Sequence, residues 1–178
     1  SSLPLPEIIE ISNTTDEKVL ASSKKLVATS IDLVSIGFNK KITKDLWFYI
    51  YDEDIYASRA YSPSIKSPEN APKNCSSIQF EIYTRGVDSK FTAEELKSNT
   101  LTALKRMNLA SSEDIKVYDH RRVRYGNVVF DVGMESNREV VLKWCTENGI
   151  HSCGRFGSWD YFWSHDSFLS GFDSLNEI

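Results

Sequence analysis

"GRFGSWDYFWSHDSFLSG", residues 154–171, crowds Phe156, Trp159, Tyr161, Phe162, Trp163 and Phe168 together with Gly154, Gly157, Gly171, Arg155 and an adjacent His165–Asp166 pair. With the "IHSC" before it, the stretch reads as a buried strand closing in a Gly-x-x-Gly turn, and "SHDSFLSGFDSL" reads as a helix capped at or near Ser164. Glycine removes the side-chain obstacle at such a junction, and a helix start carries partial positive charge. Polar atoms of a ligand can therefore approach backbone N–H groups closely.

Two readings of this junction stand side by side. In one it seats a phosphate or a flavin edge. In the other, Gly154 and Gly157 only turn the chain and Phe156, Trp159, Phe162 and Trp163 are core, which is the commoner use of an isolated Gly-x-x-Gly. Asp166 in the first helical turn weighs against an anion, because it already answers the positive helix end.

Upstream, "SNREVVLKWCTEN" has capping-box spacing at Ser136 and Glu139, turns Val140, Val141, Trp144 and Cys145 inward, and stops at Gly149. "DIKVYDHRRVRYGNVVFDVG" predicts a strand, a turn at Gly126 and a second strand. "FTAEELKSNTLTALKRM" predicts a helix with Thr92 and Glu95 as its capping box and Leu96, Ala103, Leu104 and Met107 along one face. "TSIDLVSIGFN", "DLWFYIYD", "DIYASRAYS" and "SSIQFEIYT" read as strands in an antiparallel meander, with a Pro/Ser/Asn-rich loop at 62–74. "TDEKVLASSKKLVA", residues 15–28, reads as a short amphipathic helix, and Pro4 and Pro6 predict an extended lead-in like a crossing between domains. Strands come in runs interrupted by helices, without strict βαβ alternation. The expected class is α+β, with a mainly antiparallel or mixed β-sheet flanked by amphipathic helices.

A chain of 178 residues can bury one sizeable core. Its formal net charge of −4 gives no electrostatic reason to expect nucleic acid, and the lone basic cluster "DHRRVR", 119–124, reads as a strand with solvated charges. Cys75, Cys145 and Cys153 are too few and too scattered for a disulfide framework, so a reducing, cytoplasmic location is expected. No apolar run is long enough for a membrane span, and the sequons at Asn13 and Asn74 carry no weight in that compartment.

The 154–171 stretch resembles the C-terminal flavin motif of FAD-dependent amine-oxidase-like proteins, the superfamily that includes protoporphyrinogen oxidase and UDP-galactopyranose mutase. Members close with a GR[FY]GxWxY pattern and continue into a helix reading SFxxG. "LPLPEII" is similar to the lead-in of the family's substrate domain, "DIYASRAYSPSIKSPENAP" to its arginine-bearing strand and SP…AP loop, and "RRVRYGNVVFDVG" to the strands before its last amphipathic helix. His165–Asp166 stands where relatives often carry Asp-Gln, and the mutases have a longer insert before the SFxxG helix.

The resemblance implies FAD in a full-length parent. Gly154, Arg155, Phe156 and Gly157 would lie along the flavin, with Ser167 at the helix start aimed toward it. Trp159, Tyr161 and His165 would border the substrate, Arg59 would bind its phosphate or carboxylate, and Tyr125 would line the pocket. Residues 1–150 would form the substrate-binding domain, and 151–178 would return to an N-terminal FAD-binding domain absent from this sequence. That domain would carry the Gly-x-Gly-x-x-Gly turn that these 178 residues lack, so the fragment alone is not expected to hold FAD tightly or to be active.

The function expected from the resemblance is oxidoreduction of a small molecule, in cell-surface polysaccharide or lipopolysaccharide synthesis. Two alternatives stay open: a mutase-like, redox-neutral isomerisation of a nucleotide sugar, and a non-catalytic carbohydrate or protein interaction module without a cofactor.

Overall fold

The computed structural model describes residues 1–175. The chain divides into two compact units, Thr29–Gly126 and a second formed by Ser1–Ala28 with the residues from Asn127 onward.

Period-two alternation builds the first unit. Strand β1 (Ala28–Phe38) pairs antiparallel with β4 (Ser76–Arg85), from Ser30 opposite Thr84 to Phe38 opposite Ser76. β4 pairs with β3 (Arg59–Tyr61), β3 pairs with β2 (Trp47–Tyr49), and β5 (Ile115–Val128) flanks β1, giving the order β2-β3-β4-β1-β5. The meander is thus β2-β3-β4, while β1 crosses over to lie beside β4. The protein is α+β, as the segment pattern predicts.

One face of the sheet presents Phe48, Ala60, Phe80, Val34, Ile78, Ile36 and Ile82. Helix α4 (Ala93–Arg106) contributes Leu96, Ala103 and Leu104 to the same buried cluster. The predicted capping box starts this helix: Thr92 Oγ1 accepts from Glu95 N at 3.2 Å and Glu95 Oε2 accepts from Thr92 N at 2.8 Å. At its far end, Arg106 reaches Asp54 through two bonds of 2.7 and 2.6 Å and so fastens the β2–β3 loop. The 62–74 loop contains two short helical pieces, α3 (Pro63–Lys66) and a single 3-10 turn at Pro68–Asn70, each begun by a proline where no N–H is needed.

The turn predicted at Gly126 is absent, because β5 runs through it. A Cβ at this position would come within 3.1 Å of Ile31 and 3.2 Å of Thr29 Oγ1, so the glycine permits close strand approach inside the sheet.

Asp32 sits fully buried on the apolar face of β1. Its Oδ1 lies 2.7 Å from His120 Nε2 and accepts from Arg122 Nε at 2.9 Å, and Arg122 also donates to the Phe91 carbonyl at 2.8 Å. Of "DHRRVR", His120 and Arg122 therefore engage Asp32, while Arg121 is exposed and pairs with Asp119. Both faces of β1 are more buried than alternation alone requires.

The second unit is helical. Pro6 occupies the first turn of α1 (Leu5–Ser12), where its missing N–H costs nothing, so the lead-in is helix and not the extended crossing expected from two prolines. Helix α2 (Glu17–Ser23) is capped by Asp16, which accepts from Lys18 N and Val19 N, and it ends before Leu26. The backbone of Val27 accepts from Val129 N at 2.9 Å, which draws the chain out into β1.

Helix α5 (Met134–Glu147) packs on α1 and α2 with Val141 and Cys145 buried, and Gly149 at φ +71° ends it as expected. Its cap is Gly133, not Ser136: Ser136 Oγ donates to the Gly133 carbonyl at 3.1 Å and lies inside the first turn. "IHSC" forms no strand. Cys153 N donates to the Ser1 carbonyl at 2.8 Å and the Ser1 amino group to the His151 carbonyl, but no ladder follows. Among the described residues no helix is long and apolar enough to cross a membrane.

Burial alone would raise the Asp32 pKa, but hydrogen bonds from Ser89, His120 and Arg122 outweigh it and hold the carboxyl below its ordinary value. Its stabilisation is complete above the unfolded-state pKa and is lost as pH falls through the lower folded value. Asp32→Asn should lower unfolding free energy by about 2 kcal/mol at neutral pH, the size of a charge-assisted bond network with a partly exposed arginine. Urea midpoints measured from neutral to acid pH should converge between variant and wild type.

Candidate functional site

In the helical unit, Gly154–Gly157 forms a single helical turn, α6, and Ser164–Asp173 forms α7. Arg155 holds the connection between them. Its Nε donates to the Phe162 carbonyl at 2.7 Å, Nη2 donates to the same oxygen, and Nη1 donates to Asn127 Oδ1 at 2.9 Å. A planar fork with fixed donors suits this double grip on one carbonyl. The guanidinium thus bends residues 156–161 into a closed loop, and its Cζ lies 5.9 Å from the centre of the Tyr161 ring.

Trp159 stands inside that loop, fully buried, with φ +52°. A bulky residue in the left-handed region is strained, and packing has to hold it there. Phe156 meets it edge-on at 6.2 Å. Asp160 anchors the loop from outside: its Oδ1 accepts from Tyr161 N at 2.7 Å and its Oδ2 from Arg138 Nη1 of α5 at 3.0 Å.

The glycines serve close packing. A Cβ on Gly157 would lie 2.6 Å from the Ser1 carbonyl oxygen, and Gly154, at φ +73°, has its N–H bonded to Ser170 Oγ at 2.8 Å. Ser167 lies in the first turn of α7, its N–H bonded to the Trp163 carbonyl. His165 is exposed, with Nε2 3.3 Å from Asp166 Oδ1. Asp166 Oδ2 accepts from Trp163 N at 2.8 Å and caps α7, as its position in the first turn predicts.

Around this loop the aromatics divide. Trp159 is core, whereas Tyr161 and Trp163 are exposed, edge to face at 6.2 Å, and Phe130 joins Tyr161 at 6.3 Å. The helical unit therefore brings Gly154, Arg155, Phe156, Gly157, Trp159 and Tyr161 into one motif, with Ser167 and His165 on the helix that follows. Phe130, Asn127, Arg138 and Asp160 are partners that local pattern did not single out. Asp160 lies inside the 154–171 stretch, Asn127 and Phe130 inside "RRVRYGNVVFDVG" and Arg138 inside "SNREVVLKWCTEN", but no spacing in the sequence pairs them with the loop.

Arg59 and Tyr125 belong to the sheet unit. Arg59 Nε donates to Glu81 Oε2 at 2.7 Å, and the Tyr83 hydroxyl donates to the same oxygen at 2.6 Å. The bond to Glu81 raises the Arg59 pKa further above its ordinary value and outweighs the opposing effect of burial, so the cation is permanent. The Arg59 side chain remains 44% exposed beside a Glu81 side chain that is 11% exposed, so a buried carboxylate orients a reachable guanidinium. Glu81 was missed in the sequence because it reads as one polar position of an alternating strand. Tyr125, half-buried on β5, has Arg124 Cζ 5.7 Å from its ring centre.

Among the described residues no group of three or more His, Cys, Asp or Glu side chains could hold a metal ion. Arg155→Lys keeps the charge but cannot grip Phe162 and Asn127 together. It should lower unfolding free energy by about 2 kcal/mol, seen as a lower urea midpoint.

No protein-family model matches this sequence, and no curated protein does. Solved structures do match. A reduced UDP-galactopyranose mutase superposes with TM-score 0.88 and 22% identity over 99% of this chain. A putative protoporphyrinogen oxidase from Exiguobacterium sp. 255-15 superposes with TM-score 0.70 and 14% identity over 98% of it. The chain spans 40% of the length of each. Its fold is therefore shared with two-fifths of each of these two structures.

Proposed function

We propose that this chain is the substrate-binding portion of an FAD-dependent oxidoreductase and works against a dinucleotide-binding domain that it does not contain. The observation that carries the reading is the surface of α7 and its surroundings. Phe168, Leu169 and Phe172 of α7 are all more than half exposed, as are Tyr161 and Trp163 before it. Soluble proteins seldom leave such a set of large apolar groups in water unless another surface covers it. An interaction module without a cofactor would also expose apolar groups, but the likeness over 99% of the chain to a reduced mutase supports a flavoprotein part.

The residues fit a wall for FAD and not a cradle. Gly154 and Gly157 are occupied by Ser170 and by Ser1–Ser2, so neither offers open backbone to a pyrophosphate. The exposed rings of Tyr161 and Trp163, backed by Arg155, fit the border of a flat ring system. When bound, the flavin would supply the electron-transfer chemistry. Tyr161 and His165 would border the substrate and exclude water, Arg59 would bind an anionic group on it, and Tyr125 would line the pocket. The anionic substrate would belong to cell-surface polysaccharide or lipopolysaccharide synthesis.

A second reading, isomerisation of a nucleotide sugar without net redox change, is favoured by the higher TM-score, 0.88 against 0.70. The two differ in whether an electron acceptor is consumed.

The test is to purify the longest natural gene product that contains this chain and look for flavin absorbance. A colourless, folded protein that refuses added FAD would overturn the proposal. In that product, Phe168→Glu with Phe172→Glu should lower flavin content severalfold, while the same double change leaves the circular dichroism of the 178-residue chain unaltered. Arg59→Lys should weaken substrate binding about tenfold with normal flavin absorbance, as expected for loss of one oriented charge-assisted contact.

A further inference from the structure

The outer face of the sheet, opposite α4, carries rows set by strand register. Tyr49, Arg59, Glu81 and Leu33 form one row, and Trp47, Tyr61, Gln79 and Ser35 form the next. Beyond them, where Gly37 pairs with Ser77, lies a slot of about 290 Å³. Gly37 gives it a floor without a side chain, Ala71, Pro72 and Cys75 form one wall, and Val117 of β5 forms the other. A Cβ at position 37 would come within 3.3 Å of Val117, so glycine keeps the floor low.

The slot is joined to the polar rows by Ser35, which lines it while accepting from Gln79 Nε2 at 2.8 Å. At roughly 3.3 Å per residue along a strand and 4.8 Å between strands, Gly37 lies roughly 14 Å from Glu81. Pockets that hold whole small molecules start at about 300 Å³, so this one suits a single ring or short chain attached to something larger. The bigger hollow of about 680 Å³ beside the end of α4 offers less, since Lys40 and Asp114 on its lining already pair at 2.8 Å.

We infer that the Gly37 slot is a subsite for an alkyl or aryl substituent of the substrate, whose anionic group Arg59 holds at the other end of the Arg59–Glu81 row. This rests on the reading of that row as substrate-binding. It implies a substrate that reaches over the roughly 14 Å between the row and the slot, with its apolar group at the slot end.

The test titrates the isotope-labelled 178-residue chain with methyl phosphate and hexyl phosphate and follows amide resonances. The hexyl compound should bind about tenfold more tightly or better. It alone should shift Gly37, Ala71, Cys75 and Ser77, while both compounds shift Arg59 and Glu81. Ala71→Phe, on an exposed loop, should erase the difference and leave the methyl affinity unchanged. Hexyl but not methyl phosphate should also slow alkylation of Cys75 by N-ethylmaleimide, read by peptide mass.

Equal affinities with silent slot resonances would sink the slot and leave the anion-binding reading of the row standing. Shifts in the slot with none at Arg59 and Glu81 would sink the link, and with it the anion-binding reading of the row. Failure of both compounds to bind would overturn both.

Discussion

The sheet unit depends on the pairing of β1 with β4. Their ladder runs unbroken from Ser30–Thr84 to Phe38–Ser76, and a slip of one residue would send Val34, Ile36, Phe80 and Ile82 to the opposite face. The buried cluster under α4 forbids that slip. Because the apolar side is fixed, the other side is fixed too: Ser35, Gln79 and Glu81 must point outward, and β3 must bring Arg59 beside Glu81. The candidate substrate face is thus a consequence of core packing, produced by the same register.

Two charged clusters show what each face tolerates. On the apolar face, Asp32 is shut away and is bearable because Ser89, His120 and Arg122 hydrogen-bond it, the last two at one oxygen. Arg122 uses the same guanidinium to hold the Phe91 carbonyl, which ties the approach to α4 onto the sheet. On the outer face, Glu81 is the buried partner and Arg59 the reachable one. The first arrangement is closed and structural. The second leaves a cation oriented and available, which is the condition for binding an anion.

The helical unit works by a different constraint. Arg155 doubles onto the Phe162 carbonyl, and between them Trp159 is held by packing in a left-handed conformation that an isolated peptide would avoid. One tryptophan is thereby buried, while Tyr161 and Trp163 are turned outward beside an α7 that presents Phe168, Leu169 and Phe172 to solvent. The packing reading of the Gly-x-x-Gly stretch holds for its glycines and Trp159, whereas Phe156 and Phe162 are half-buried and Tyr161 and Trp163 are exposed.

Sequence alone determined the elements whose signals are local. The Thr92–Glu95 cap, the alternation of β1 and β4, the stop at Gly149 and the α+β class all follow from neighbours a few residues apart. Tertiary structure decided whatever depended on distant partners. Gly126 became a point of close strand approach because Ile31 lies against it, "IHSC" found Ser1 in place of a ladder, and Ser136 lost the cap to Gly133. Glu81 and Asn127 were invisible for the same reason. A side chain's chemistry is written at its own position, but its partner is chosen by contacts that close only when the chain folds.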